Sequence, residues 1–239
     1  MTAEGLIHGP RLRQAAVITV VGYVMGWGVP FASFSILPKL FVADNAARTF
    51  QNVAANQGLF AVVIFAFLIN FIGDIVAAWG LYLLLRPVNA SVSMFVAWLR
   101  VVFATIGLAA VLNLVTAYRL VSRPAALTAI GQGQLDAQVH VAIGSFTSQF
   151  AFSLIVFGAY LVMLGWLAYR SGYVPRWLGV VLTINGAGWM IMEAGPYLAP
   201  GIDLGFLFVA TFGELILLVW LVGWGTRLGD PAANPGAGD

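Results

Sequence analysis

The 239-residue chain contains no cysteine, which excludes disulfides, thiol nucleophiles, Cys-ligated zinc, iron–sulfur clusters and covalently attached c-type haem. Charge is almost as scarce. Only 8% of residues are Asp, Glu, Lys or Arg, against 61% hydrophobic, where a soluble domain carries about 25% charged residues. A mean hydropathy of +0.95 leaves too little polar surface to face water. The net charge of +2 is a mild basic bias without a basic patch, so nucleic acid is not a partner. Lys39, the single lysine, sits at an interface, which denies a rhodopsin-type Schiff base a lysine at membrane depth. The two histidines, His8 and His140, fall on opposite sides of the expected membrane and cannot share a haem. No G-x-S-x-G motif exists, no set of residues has metal-ligand spacing, and no cofactor is implied.

What is present is length of apolar chain. Six windows at about 14–38, 58–85, 91–118, 140–169, 177–200 and 204–226 reach or exceed the roughly 20 residues needed to cross a bilayer as helix. They predict an all-α, polytopic bundle of six transmembrane helices forming one domain over residues 10–228. The N-terminal tail is 1–9, and a Gly- and Pro-rich C-terminal tail, 229–239, reads as disordered. The first window is too long for the apolar part of a signal peptide and reads as a retained anchor.

Arg11, Arg13, Arg86, Arg170, Arg176 and Arg227 collect on one side of these spans, and Lys39, Arg48, Arg119 and Arg123 on the other. The excess of positive charge predicts N-in, C-in topology. Trp166, Tyr169, Tyr173, Trp177 and Trp224 lie near the same ends, as an interfacial aromatic belt would. The connections Arg86-Pro-Val-Asn89 and Arg170-Ser-Gly-Tyr-Val-Pro-Arg176 are short, which makes spans two and three, and four and five, antiparallel neighbours. Asp44 is a plausible N-cap for an amphipathic turn through Phe50 and Val53, and Pro124 with Gly131-Gln-Gly133 breaks the third connection. Gly22-Tyr-Val-Met-Gly26 is a small-xxx-small pattern and reads as a packing face.

Ionisable side chains at membrane depth are expensive unless paired or facing a cavity, so Asp74, Arg100, Glu193 and Glu214 carry the chemical interest. At 1.5 Å of rise per residue, Asp74 lies roughly 18 Å from Arg86, Arg100 roughly 14 Å from Ser91 and Glu214 roughly 20 Å from Arg227. These depths predict a midplane cluster of Asp74, Arg100 and Glu214, extended by Asn70 one turn from Asp74. Two acids around one guanidinium leave one excess negative charge, which favours a proton on one of them. Glu193 falls nearer the outer interface, where Gln149 and His140 would join it in a vestibule. Against a ligand role stands the plain alternative that buried ion pairs only pin helices together.

The stretch Gly73-Asp74-Ile-Val-Ala-Ala-Trp-Gly-Leu-Tyr-Leu-Leu-Leu-Arg-Pro-Val-Asn89 followed by Trp98-Leu-Arg100 resembles a bacterial six-helix membrane family, domain of unknown function 4386. Arg170-Ser-Gly-Tyr-Val-Pro-Arg-Trp-Leu-Gly-Val180 and Gly213-Glu214-Leu215 are similar to its later connection and final helix, so the likeness covers most of residues 15–225. The resemblance implies a multi-pass protein of the bacterial cytoplasmic membrane, with charged residues at the positions of Asp74, Arg100, Glu193 and Glu214. It implies no activity. Where the family's fourth helix often shows a His and an Asp, this chain has Phe146 and Ala151.

Three functions follow in order. The first is binding or transport of a small or lipid-like solute at the midplane cluster. The second is a structural or accessory membrane protein, with a protein partner or homo-oligomer left open. The third is an intramembrane enzyme using Glu214 as acid or base, toward which the inventory leans least.

Overall fold

A bilayer core offers backbone N–H and C=O groups no water, so long apolar runs settle as helices that satisfy these groups internally. The computed structural model describes residues 12–26, 29, 32–122, 131–199, 201–225 and 228. Both expected tails and Pro124 lie outside them. Among the described residues all regular structure is helical: α1 (Leu12–Met25), a π-helical turn (Ala32–Ile36) running into α2 (Leu37–Leu40), α3 (Ala46–Ala55), α4 (Gln57–Leu85), α5 (Ala90–Ser122), α6 (Gln132–Arg170), α7 (Arg176–Leu198), a 3-10 segment (Gly205–Phe212) and α8 (Gly213–Trp224). Helices α4 to α7, and the 3-10 segment continued by α8, are long and apolar enough to cross a membrane.

The first window differs from its expectation as one continuous span over 14–38. Helix α1 has 14 residues and ends at Met25, and a separate helical segment begins at Ala32. An uncharged run reports hydrophobic length only. Gly26, where α1 has ended, lowers helix propensity without adding charge.

Exposure on α4 is inverted relative to a soluble protein. Val62, Phe65, Ile69, Ile72 and Trp79 are exposed, while Ala77 and Ala78 are buried with Phe60, Val63, Phe67 and Phe71. The spacing of the exposed set is helical, so a stripe of large apolar side chains faces outward, the pattern expected for a lipid contact.

The chain divides into two compact units, one from segments 1–23, 74–101 and 154–239, the other from 24–73 and 102–153. In the first, Arg86-Pro-Val-Asn89 closes the hairpin of α4 and α5. Asn89 accepts a hydrogen bond from the backbone N–H of Val92 (3.0 Å), and the Ser93 hydroxyl donates back to the Tyr82 carbonyl (3.0 Å). The turn from α6 to α7 uses Gly172 at φ 74°, a left-handed conformation that a side chain would strain. Its Tyr173 hydroxyl donates to the Leu84 carbonyl, and burial pushes that phenol well above its ordinary pKa. Beyond this turn, α6 and α7 meet backbone to backbone. A methyl at Gly186 would fall on the Gly158 carbonyl oxygen, and one at Gly179 would lie 2.7 Å from the Gly165 carbonyl oxygen. Small residues at two-turn spacing let the axes approach without side chains between them.

In the second unit, the N-cap of α3 is Asn45, whose side chain accepts from the Arg48 N–H at 2.9 Å. This corrects Asp44 by one residue. Both types can cap, and only backbone geometry at the turn decides which does. The inward positions of α3 are Thr49 and Val53. The core beyond them is phenylalanine: Phe67, Phe71, Phe103, Phe146 and Phe150 interlock with ring centroids 4.7 to 6.3 Å apart.

Candidate functional site

Arginine has five N–H donors in a fixed plane, so burying it requires several acceptors in the right directions. Arg100, in the first third of α5, is 2% exposed and heads the largest fully buried side chains. Its Nη2 donates to Asp74 Oδ1 of α4 at 2.6 Å. Its Nη1 donates to Glu214 Oε1, in the first turn of α8, and to the Tyr160 hydroxyl of α6, with Tyr23 of α1 at 3.4 Å. The structure therefore brings Asp74, Arg100 and Glu214 together, and five helices supply the assembly.

The two tyrosines work as relays. Each phenol oxygen lies near Arg100 and donates its own O–H to Glu214 Oε1, Tyr23 at 2.9 Å and Tyr160 at 3.2 Å. The same rings flank the guanidinium, whose carbon lies 4.8 Å from the Tyr23 ring centre, 4.9 Å from Tyr160 and 5.8 Å from Phe157. A planar cation between aromatic faces is held by attraction to their π electrons, more strongly where water is absent.

Two atoms stand apart from this set. Arg100 Nε is buried and has no hydrogen-bond partner among the described residues. Glu214 carries three donors on Oε1, while its Oε2 accepts no hydrogen bond among the described residues, and the side chain is 19% exposed against 9% for Asp74. The glutamate is thus half bound to the network and half open, at the only described ion pair besides Asp74–Arg100.

Asn70 is half-buried one turn before Asp74 on α4 and has an interaction of its own. The three vestibule residues fall in both units. In the second, His140 stacks on Phe41 at 4.9 Å with its Nδ1 3.4 Å from the Thr49 hydroxyl, and Gln149 accepts from the Asn113 amide at 3.0 Å. In the first, Glu193 is half-buried on α7, without a hydrogen bond or ion pair among the described residues. Phe146 belongs to the phenylalanine core. Among the described residues no group of three His, Asp or Glu is placed to hold a metal.

Tyr23, Tyr160 and Phe157 were absent from the residues that sequence reasoning selected. A signal existed for the two tyrosines. A phenol inside an apolar run needs a partner for its hydroxyl; Tyr160 lies well inside α6, and Tyr23 lies inside the apolar run 14–38 although α1 itself ends at Met25.

A protein of Archaeoglobus fulgidus described as "Uncharacterized protein" is 30% identical over 201 residues, covering 84% of this chain and 99% of that one. No solved structure matches the chain. Residues 18–225 match the family described as Domain of unknown function (DUF4386). With nearly all of the helical region inside that match, the chain belongs to the DUF4386 family of membrane-type helical proteins.

Proposed function

We propose that this membrane protein binds, and in its cycle moves, a small lipid-like solute whose hydrogen-bond donor or cationic head engages Glu214 Oε2, in the cytoplasmic membrane of its host. The observation that carries the reading is the unequal treatment of the two acids. One guanidinium neutralises one carboxylate, so a network built only to hold helices needs Asp74 and no second acid. Glu214 adds a negative charge, keeps one oxygen without a partner among the described residues and is the more exposed of the two. The excess charge selects against an anionic head and for an ammonium or a hydroxyl.

The test uses three 12-carbon probes of equal length, dodecylamine, dodecanol and dodecanoate, added to the purified chain in a maltoside detergent. Dodecylamine raises the melting temperature of the wild type by several degrees, dodecanol by less, and dodecanoate not at all. Glu214→Gln abolishes the dodecylamine shift while its far-UV dichroism stays that of the wild type. Equal shifts in wild type and variant would remove the basis of this reading.

A second reading, a helix lock without a ligand, is favoured by one observation: α1, α4, α5, α6 and α8 all converge on the fully buried Arg100. Under it, Asp74→Asn and Glu214→Gln lower the melting temperature alike and no probe discriminates between them.

A further inference from the structure

Within the first unit, a groove of about 640 Å³ is lined by Tyr173, Pro175, Trp177, Trp220, Trp224 and apolar side chains of α8. Its size lies within the roughly 300–1,000 Å³ of small-molecule sites. The walls are aliphatic and aromatic, and the Tyr173 hydroxyl is already committed to the Leu84 carbonyl. The indole N–H groups of Trp177, Trp220 and Trp224 make no hydrogen bond among the described residues and remain as donors.

Among the described residues of this connection, charge is all of one sign. Arg176 lies between the lining residues Pro175 and Trp177, and Arg170 ends α6 at the start of the same connection. Both are exposed, and neither has a carboxylate partner among the described residues, where the ion pairs are those of Arg100. Each instead lies over an aromatic ring, Arg170 4.9 Å from Trp166 and Arg176 5.8 Å from Tyr169. Such stacking fixes the stem and leaves guanidinium N–H groups directed outward, the fork that suits a phosphate.

We infer that this groove is a site for an anionic phospholipid, with an acyl chain along Trp177, Trp220 and Trp224 and the phosphate at Arg170 and Arg176. The inference is independent of the Glu214 reading, which needs the opposite charge on its ligand. Uncompensated arginines beside an apolar channel match a ligand that is acidic at one end and greasy at the other, and bilayers of anionic lipid supply it at high local concentration.

Native mass spectrometry of the full chain, offered phosphatidylglycerol or phosphatidylcholine of identical acyl chains, tests it. The wild type retains phosphatidylglycerol about thirtyfold more tightly, the scale set by two arginines near an anionic head. The double substitution Arg170→Gln, Arg176→Gln brings phosphatidylglycerol down to the phosphatidylcholine level, and Trp224→Ala weakens both lipids. Millimolar inorganic phosphate leaves the bound phosphatidylglycerol in place. Equal retention of the two lipids by the wild type overturns the inference without any variant. So does a preference that survives loss of both arginines, or displacement by inorganic phosphate, which would make the site one for free phosphate.

Discussion

Among the described residues, the buried polar ones of the first unit are Thr19, Asp74, Ser93, Arg100 and Asn185; those of the second are Thr49 and Ser153, whose hydroxyls donate to backbone carbonyls nearby in sequence. Every buried charge among the described residues is thus in one unit, while the other closes on five interlocked phenylalanines. The two cores fail differently when disturbed. Aromatic rings tolerate a change of shape if volume is kept, whereas a network of charges tolerates almost no deletion, because each group left behind is stranded in low dielectric.

Removing Arg100 is the strongest way to test that contrast. Arg100→Met strands two carboxylates and is expected to lower stability by about 3–5 kcal/mol or to prevent folding. Phe146→Leu in the other core is expected to cost under about 1.5 kcal/mol. Thermal melting of both variants in the same detergent measures the difference, and similar losses would show that the charged network is not the more brittle core. The triple substitution Asp74→Leu, Arg100→Met, Glu214→Leu should recover much of what Arg100→Met loses, since no charge remains to be stranded.

A methyl added to a glycine separates the units by a smaller margin. At Gly186 it would meet the backbone oxygen of Gly158, and at Gly107 the ring edge of Phe71. A ring can turn and a carbonyl in a helix cannot. Gly186→Ala is therefore expected to lower the melting temperature clearly more than Gly107→Ala. The reverse order would mean that the phenylalanine core is the less yielding.

The least effect is a slope in pH. The Tyr173 phenol has its pKa raised by burial, so the neutral form is favoured in the folded chain. Its contribution is fully present below the ordinary value of 10.0 and is lost as pH rises from there toward the folded-state value. Stability should then fall above about pH 10, and Tyr173→Phe should flatten that fall as followed by melting temperature against pH.

Much of this was written in the residues, and for a physical reason. Membrane depth makes each acid and arginine conspicuous, so Asp74, Arg100 and Glu214 stand out from an apolar background and their heights follow from helix rise. Apolar length likewise points to the five long apolar helices, and the stretches Gly73–Asn89 and Arg170–Val180 to the family. The tyrosines were hidden because Tyr23 and Tyr160 count as aromatic in any hydropathy reading, and Tyr23 lies inside a glycine pattern that reads as packing. The interruption after Met25 was hidden because hydropathy does not measure helix continuity. Asn45 was hidden because Asp44 beside it has the same capping chemistry. Phe146 registered only as the absence of a histidine, although its partners Phe67 and Phe150 come from two different stretches of sequence.

The glycine seam between α6 and α7 has a consequence for the gene. Every change that replaces a glycine by another residue adds at least a methyl, and at Gly158, Gly165, Gly179 and Gly186 even a methyl meets backbone. This seam is therefore mutationally isolated, since no substitution at these four positions leaves the packing intact. A scan of all single substitutions should draw two short, regularly spaced gaps along α6 and α7, while the outward stripe of α4 accepts almost any apolar exchange.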